Sequence, residues 1–248
     1  MRQRRQAERF VSEFLANHRE WSDGLDMKYQ SAFEMIGPVM VGPSSSHTAG
    51  AVRIGNLARE ILGETPRIVE FRLMGSFYET YQGHGTDLAL LAGVMGYPTD
   101  HPAVSEADQR AVEAGLSYAF KKEHLGFFHP NTVGILLHGD QRKIDLIASS
   151  LGGGKVEVQE LFGLPIRFSG EKNTLILHHA DQRGFLAKVS NALDAEGYNI
   201  ARLSLERWRR GGYAITVCEV DEEIQNDLPE ILHSKVPQLK DIRVVQGS

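Results

Sequence analysis

The sequence predicts an α+β protein of two domains, and three observations carry that prediction. From residue 27 to about 170, helix-period and strand-period segments alternate. From about residue 171 onward the periods fall in the order βαββαβ. The 248 residues, 42% hydrophobic and 24% charged, suffice for one or two domains with a sizeable core and exclude disorder as the main state. The expected division is an extension over 1–26, a first domain over 27–170 and a second over 171–248.

In the extension, Arg2, Arg4 and Arg5 precede Phe10, Val11, Phe14 and Leu15, the apolar stripe of a short helix. Glu8, Glu13 and Glu20 argue against a transit peptide, and Met27 offers a second start, so 1–26 is expected to lie outside the functional core. In the first domain, GAVRIGNLARE continuing to Leu62 has a helical period through Ala51, Ile54, Leu57, Ala58 and Ile61. IVEFRL alternates as a half-buried strand, and TDLALLAGVMG returns to a helical pattern beginning near Gly85 or Thr86. Residues 132–138 and 143–151 are expected strands, with GGGK just ahead of a further alternating run, KVEVQEL.

The second domain reads more clearly. TLILHH is a strand, and GFLAKVSNALDAEG is a helix ending at Gly197 as a left-handed cap. NIARLSLERW and GYAITVCEV form a hairpin around Arg209, Arg210, Gly211 and Gly212. EEIQNDLPEILHSK is a second helix interrupted by Pro229, and DIRVV closes as a strand, which together make a ferredoxin-like unit.

Composition excludes several classes. The net charge of −5, with no basic face, disfavours nucleic acid. No apolar run is long enough for a membrane span, and no signal sequence is recognisable. The single cysteine, Cys218, fits the reducing cytosol and cannot supply a Cys-rich zinc site or the thiolates of an iron–sulfur cluster. No metal site is expected in this chain.

The densest polar cluster is GPSSSHTAGAVRIG. Ser44, Ser45 or Ser46 can cap the helix that follows, and hydroxyls around free first-turn N–H groups make a cradle for a carboxylate or phosphate. His47 there can act as a general base near neutral pH, with Thr48 beside it. A capped helix with a solvent-facing histidine accounts for the same string equally well. In YQGHGTDLAL, His84 stands between Gly83 and Gly85, where backbone can approach a ligand closely, with Thr86 and Asp87 just behind. In FFHPNTVGI, Pro130 holds His129 extended, followed by Asn131 and Thr132 at the head of a strand. Each loop alone is an ordinary turn; three converging on one cleft are not.

Other chemistries fail. There is no G-x-S-x-G elbow, and the adjacent Ser46 and His47 are not expected to face each other. GGGKV lacks phosphate-loop spacing, the histidines form no zinc pattern, and the Arg207–Arg210 run reads as a solvated hairpin tip.

On the strings MIGPVMVGPSSSHTAGAVRIG, GSFYETYQGHGTD, HPNT and GGGKVEVQELFG, the chain from Met27 onward resembles the β subunit of the two-chain, iron–sulfur-dependent bacterial L-serine dehydratases. The first domain resembles that family's allosteric-substrate-binding α/β domain, whose SSSHT loop faces the catalytic domain. Residues 171–248 resemble an ACT domain, with DQRG opening its first helix and GYNI its second strand. Residues 1–26 depart from the family pattern.

The resemblance implies conversion of L-serine to pyruvate and ammonia by α,β-elimination. A [4Fe–4S] cluster held by a separate α subunit would bind the substrate hydroxyl as a Lewis acid while a base removes the α-proton. His47 is the expected base, with His84 and His129 as the other candidates. Ser44, Ser45, Ser46, Thr48, Gly85, Thr86, Asp87, Asn131 and Thr132 are the expected substrate contacts. In the ACT-like unit, Asp181, Gly184, Asn199 and Ile200 are expected to line one effector cleft, and the exposed sheet edge to pair with a second copy. Two other classes stay open: a non-catalytic amino-acid-sensing module, and a free-standing anion-binding protein.

Overall fold

The structure is a computed structural model that describes residues 39–126 and 128–247. The expected helix within 1–26 lies outside the described residues.

The chain enters its first helix through serine. Ser44 is extended, and its Oγ accepts the His47 N–H at 3.2 Å. Ser45–Ala49 then form a single wide turn, in which the Gly50 N–H reaches back five residues to the Ser45 carbonyl. Helix α1 (Gly50–Leu62) follows, buries the expected apolar stripe, and stops at Gly63 in the left-handed conformation (φ 70). Strand β1 (Ile68–Met74) leads into the short helix α2 (Gly75–Thr80), and α3 (Thr86–Val94) starts after Gly85 at φ 65. A 3-10 turn, α4 (Ala107–Glu113) and β2 (Ser117–Lys122) come next. Strands β3 (Thr132–His138), β4 (Lys143–Gly152) and β5 (Lys155–Leu161) form a meander whose last turn is the glycine run ahead of Lys155.

These strands make one sheet in the order β2-β1-β3-β4-β5, parallel only at β1–β2. Helices α1 and α3 cross with backbones touching. A Cβ at Gly93 would lie 2.1 Å from the Val52 carbonyl oxygen, and one at Gly55 would lie 2.7 Å from that of Leu90. Glycine is what allows the crossing, which seats the first turns of α1 against the second half of α3.

The second sheet holds β6 (Asn173–Ala180), β7 (Ile200–Arg207), β8 (Tyr213–Val220) and β9 (Leu239–Val245), in the order β7-β8-β6-β9. Helices α5 (Phe185–Ala195) and α6 (Leu228–Lys235) complete the expected βαββαβ topology. The second helix is shorter than the sequence suggests. Pro229 sits in its first turn, where a missing N–H costs nothing, so the helix begins there rather than continuing through it.

One face of this sheet packs under α5 and α6 around Leu177, Val189, Leu193 and Leu232. The other face sends Ile176, Ile215, Val217 and Val245 into the core built around α1. Arg243, buried and ion-paired with Asp241, donates to the carbonyls of Leu62 (2.8 Å) and Ile61 (3.2 Å) at the open end of α1. The two sheets thus share a core across the expected boundary at 170, and the described residues form one compact unit.

Candidate functional site

The wide turn ahead of α1 folds the His47 ring back over the serines. Its Nδ1 lies 3.1 Å from Ser46 Oγ and 3.3 Å from Ser44 Oγ, and its Nε2 lies 3.0 Å from Ser76 Oγ. The expectation that Ser46 and His47 do not face each other is therefore corrected. It assumed α-helical spacing, whereas the five-residue closure of this turn brings the neighbouring hydroxyl to the ring.

Ser76 comes from the first turn of α2, directly after β1. Gly75, at φ 55, lets that junction pass close to the loop before β3: a Cβ there would sit 2.7 Å from the Pro130 carbonyl oxygen. His84 stands on the other side of His47, with ring centroids 4.9 Å apart, and its backbone carbonyl accepts from Thr48 Oγ1 at 3.4 Å. Phe77 meets the His47 ring edge-on at 5.5 Å. Burial, and then the neighbouring His84, hold His47 below the ordinary histidine value of 6.5, so the ring is neutral at pH 7.

Three buried polar atoms on the segments near this ring lack a hydrogen-bond partner: His84 Nδ1, Thr86 Oγ1 and Ser150 Oγ. Ser150 is at the end of β4, and its Oγ lies 2.1 Å from where a Gly50 Cβ would be, so only glycine fits at position 50. Thr132 Oγ1 bonds the His129 carbonyl at 2.5 Å and Ser149 Oγ at 2.6 Å, and the Ser150 N–H donates to the Asn131 carbonyl. A cavity of about 180 Å³ opens alongside, lined by Gly42, Pro43, Thr48, His84 and Gly85 among others. Buried polar groups are normally satisfied, so the unsatisfied Nδ1 of His84, whose ring stands beside that of His47, marks a site shaped for a polar ligand.

The sequence-predicted residues divide accordingly. Ser44, Ser46, His47, Thr48 and His84 are brought together, whereas Thr86 is buried at the start of α3 with its N–H on the Tyr81 carbonyl. Ser45 contributes its carbonyl to the turn, and Asp87 lies half-buried in the first turn of α3, its carboxyl pushed up by burial. Gly85 supplies the left-handed backbone between His84 and Thr86. Asn131 and Thr132 reach the site through Ser150 and Ser149. His129 does not join the pair. It is exposed, and its Nδ1 accepts the Asn131 N–H at 3.1 Å in a local turn. Ser76, Ser149 and Ser150 escaped sequence reasoning, although adjacent serines inside an apolar strand just before a glycine run were a usable signal.

The second cluster is not one cleft within a chain. Asp181 accepts from Arg207 Nη1 and the Gly211 N–H, both at 2.8 Å, which ties it to the β7–β8 hairpin and holds its carboxyl below the usual range. It therefore does not cap α5, and the hairpin tip is not wholly solvated. Gly184 makes the left-handed entry to α5, at φ 86. Asn199 bonds Asp221, and its N–H bonds Glu222, both at 2.7 Å, while Ile200 pairs with Val220. These contacts lie at the opposite end of the sheet from Asp181, about 16 Å away by the length of α5.

An iron–sulfur cluster does not fit these residues. Cys218 is fully buried in β8, its thiol pushed up to about 12, and no group of three or more His, Cys, Asp or Glu among the described residues is placed to hold a metal. No described helix is long and apolar enough to cross a membrane.

Comparison with known proteins fits this geometry. The probable L-serine dehydratase β chain of Bacillus subtilis (strain 168) is 39% identical over 213 residues, spanning 86% of this chain and 96% of its own. The chain belongs to the serine dehydratase β-chain family. The L-serine dehydratase β chain of Peptoniphilus asaccharolyticus is 40% identical over 202 residues, covering 80% of this chain and 90% of that one. The family model described as serine dehydratase β chain matches residues 31–121, the stretch that carries His47, Ser76 and His84. L-serine dehydratase 2 of Escherichia coli (strain K12) is 30% identical over 159 residues, which span 54% of this chain and 34% of the longer enzyme.

Proposed function

We propose that this chain is the β subunit of a two-chain L-serine dehydratase, an L-serine ammonia-lyase that converts L-serine to pyruvate and ammonia and works only with its α subunit. The observation that carries the reading is the neutral His47 among Ser44, Ser46 and Ser76, with the ring of His84 beside it and its Nδ1 left unsatisfied.

L-serine brings a carboxylate, an ammonium and a hydroxyl, and the site offers hydroxyls and imidazole nitrogens that can hydrogen-bond to them. Ser44, Ser45, Ser46 and Thr48 orient the substrate. His47, neutral and partly shielded from water, takes the α-proton and becomes imidazolium. The freed pair forms the Cα–Cβ double bond as the Cβ–O bond breaks, with the departing hydroxide left to the Lewis acid of the α subunit. The aminoacrylate formed tautomerises to the imine and hydrolyses to pyruvate and ammonia. Burial first, and the neighbouring His84 second, lower the pKa of His47.

The [4Fe–4S] cluster belongs, in this reading, to the α subunit. The donor set here does not fit a cluster, and the E. coli enzyme is nearly three times longer than the segment it shares with this chain. The site is then completed across an interface. A cytoplasmic location goes with the same reading, supported by the single, buried cysteine.

Residues 171–248 are proposed as an ACT-type unit, with 27–170 as the domain that meets the α subunit. β7 is a free edge of the second sheet, which favours self-association through it. Because Asp181 and Asn199 lie at opposite ends of one copy, an effector site using Gly184 and Ile200 with them has to draw on two copies.

The test is anaerobic expression of this chain alone and with its α subunit, followed by a pyruvate assay. Pyruvate and visible cluster absorption are expected only from the pair. Iron–sulfur absorption and turnover from the single chain would refute the division of labour.

A further inference from the structure

A second and larger cavity, of about 520 Å³, opens where the start of β4 meets β6, β8 and β9. It lies toward the other end of β4 from Ser149 and Ser150, about 20 Å away at roughly 3.3 Å per residue, so it is separate from the cradle around His47. Its volume is within the range of about 300–1,000 Å³ typical of small-molecule sites. A neighbouring cleft of about 450 Å³ shares Trp208, Tyr213 and Lys240 with it.

The lining is strongly cationic. Arg142, Lys143, Lys240 and Arg243 face a single carboxylate, that of Asp241. Asp241 is already shared by both guanidinium groups, and Arg243 is further committed to the end of α1. Lys143 and Lys240 form no ion pair among the described residues and stand exposed at the opening. The walls are flat rings: Trp208 is 52% and Tyr213 66% exposed, large apolar surface for a protein to leave at the mouth of a cavity.

Deeper in, the ring of Phe162 meets that of His178 edge-on at 5.0 Å. Phe162 is the one non-glycine residue with positive φ (52) among the described residues, a conformation that strains the backbone of a bulky residue. His178 Nε2 is buried there without a hydrogen-bond partner. Backbone strain, an orphaned ring nitrogen, unpaired cations and exposed aromatic faces all meet at one opening.

We propose that this cavity binds a small organic anion that carries a flat ring. The uncompensated lysines take the carboxylate or phosphate, Trp208 and Tyr213 take the ring, and His178 Nε2 gains a polar partner. A zwitterionic amino acid suits it less, because the carboxylate that would take its ammonium is already occupied. The site goes beyond the dehydratase reading and does not depend on it.

Trp21 and Trp208 are the two tryptophans of the chain, so Trp21→Phe makes Trp208 the sole reporter. The full-length variant is titrated with phenyl phosphate and with benzoate, and in parallel with inorganic phosphate and benzyl alcohol. A saturable change in Trp208 fluorescence is expected with at least one aromatic anion. Binding at least about tenfold weaker is expected for the ringless anion and for the neutral ring. The preferred aromatic anion identifies the head group. Lys143→Glu with Lys240→Glu, both at exposed positions, is expected to weaken binding at least about tenfold while the thermal midpoint holds. No saturable change with either aromatic anion, equal affinity for benzyl alcohol, or indifference to the charge reversal overturns the proposal.

Discussion

His47 and His84 were legible as candidates because each stands in a short polar string bounded by glycine or proline, a pattern a buried apolar element does not produce. Their mutual contact was not legible, nor was the Ser76 hydroxyl on His47 Nε2, since both depend on loops far apart in sequence. The electrostatics make a sign-definite prediction. Burial, and then His84, lower the pKa of His47, so the base is competent above that value and is lost to protonation below it. The acid limb of kcat/KM for the reconstituted enzyme is expected below pH 6.5. In His84→Ala one of the two depressing influences is gone, and the limb should move to higher pH. A limb already above 7 in the unaltered enzyme would contradict this. Cys218 gives a simpler check. With burial first, and Glu219 second, raising its thiol to about 12, modification by a disulfide reagent should be on the order of 100-fold slower in the folded chain than in urea.

At the scale of elements, strong amphipathic periods read correctly: α1, α5, β1, β6 and β8 fall where the apolar residues put them. β2 did not, because SYAFKK is an exposed edge strand held by pairing with β1, by stacking of Phe120 on Phe71 at 4.8 Å and by the Lys121–Glu70 ion pair. Such an element has no buried face to leave a period in the sequence. α2 and α4 are too short to show one. The α1–α3 crossing makes the sharpest prediction here. Gly93→Ala would place a methyl 2.1 Å from the Val52 carbonyl oxygen, so the helices must separate. The expected loss is about 1–3 kcal/mol in urea unfolding. An unchanged midpoint would mean that the crossing is looser than described.

The molecule as a whole joins its two sheets through apolar packing and through the Arg243–Asp241–Arg142 group, a connection invisible to a reading that places a boundary near residue 170. His178 lies at this junction, and burial depresses its pKa from 6.5 to about 4. The unfolded chain therefore binds this proton more readily. Stability from His178 is present above pH 6.5 and is lost as pH falls toward 4, on the order of 3 kcal/mol in all. His178→Gln should flatten the pH dependence of the unfolding free energy across that window, and an unchanged slope would remove His178 as its cause.

The central claim is that this chain contributes the base for L-serine elimination to a site it completes with another subunit. The most direct measurement is the steady-state rate of pyruvate formation by the anaerobically reconstituted complex carrying His47→Ala, compared at equal iron content with the unaltered complex. The account predicts a fall in kcat of about 100- to 10,000-fold with assembly intact. Turnover within a few-fold of the unaltered enzyme would contradict it.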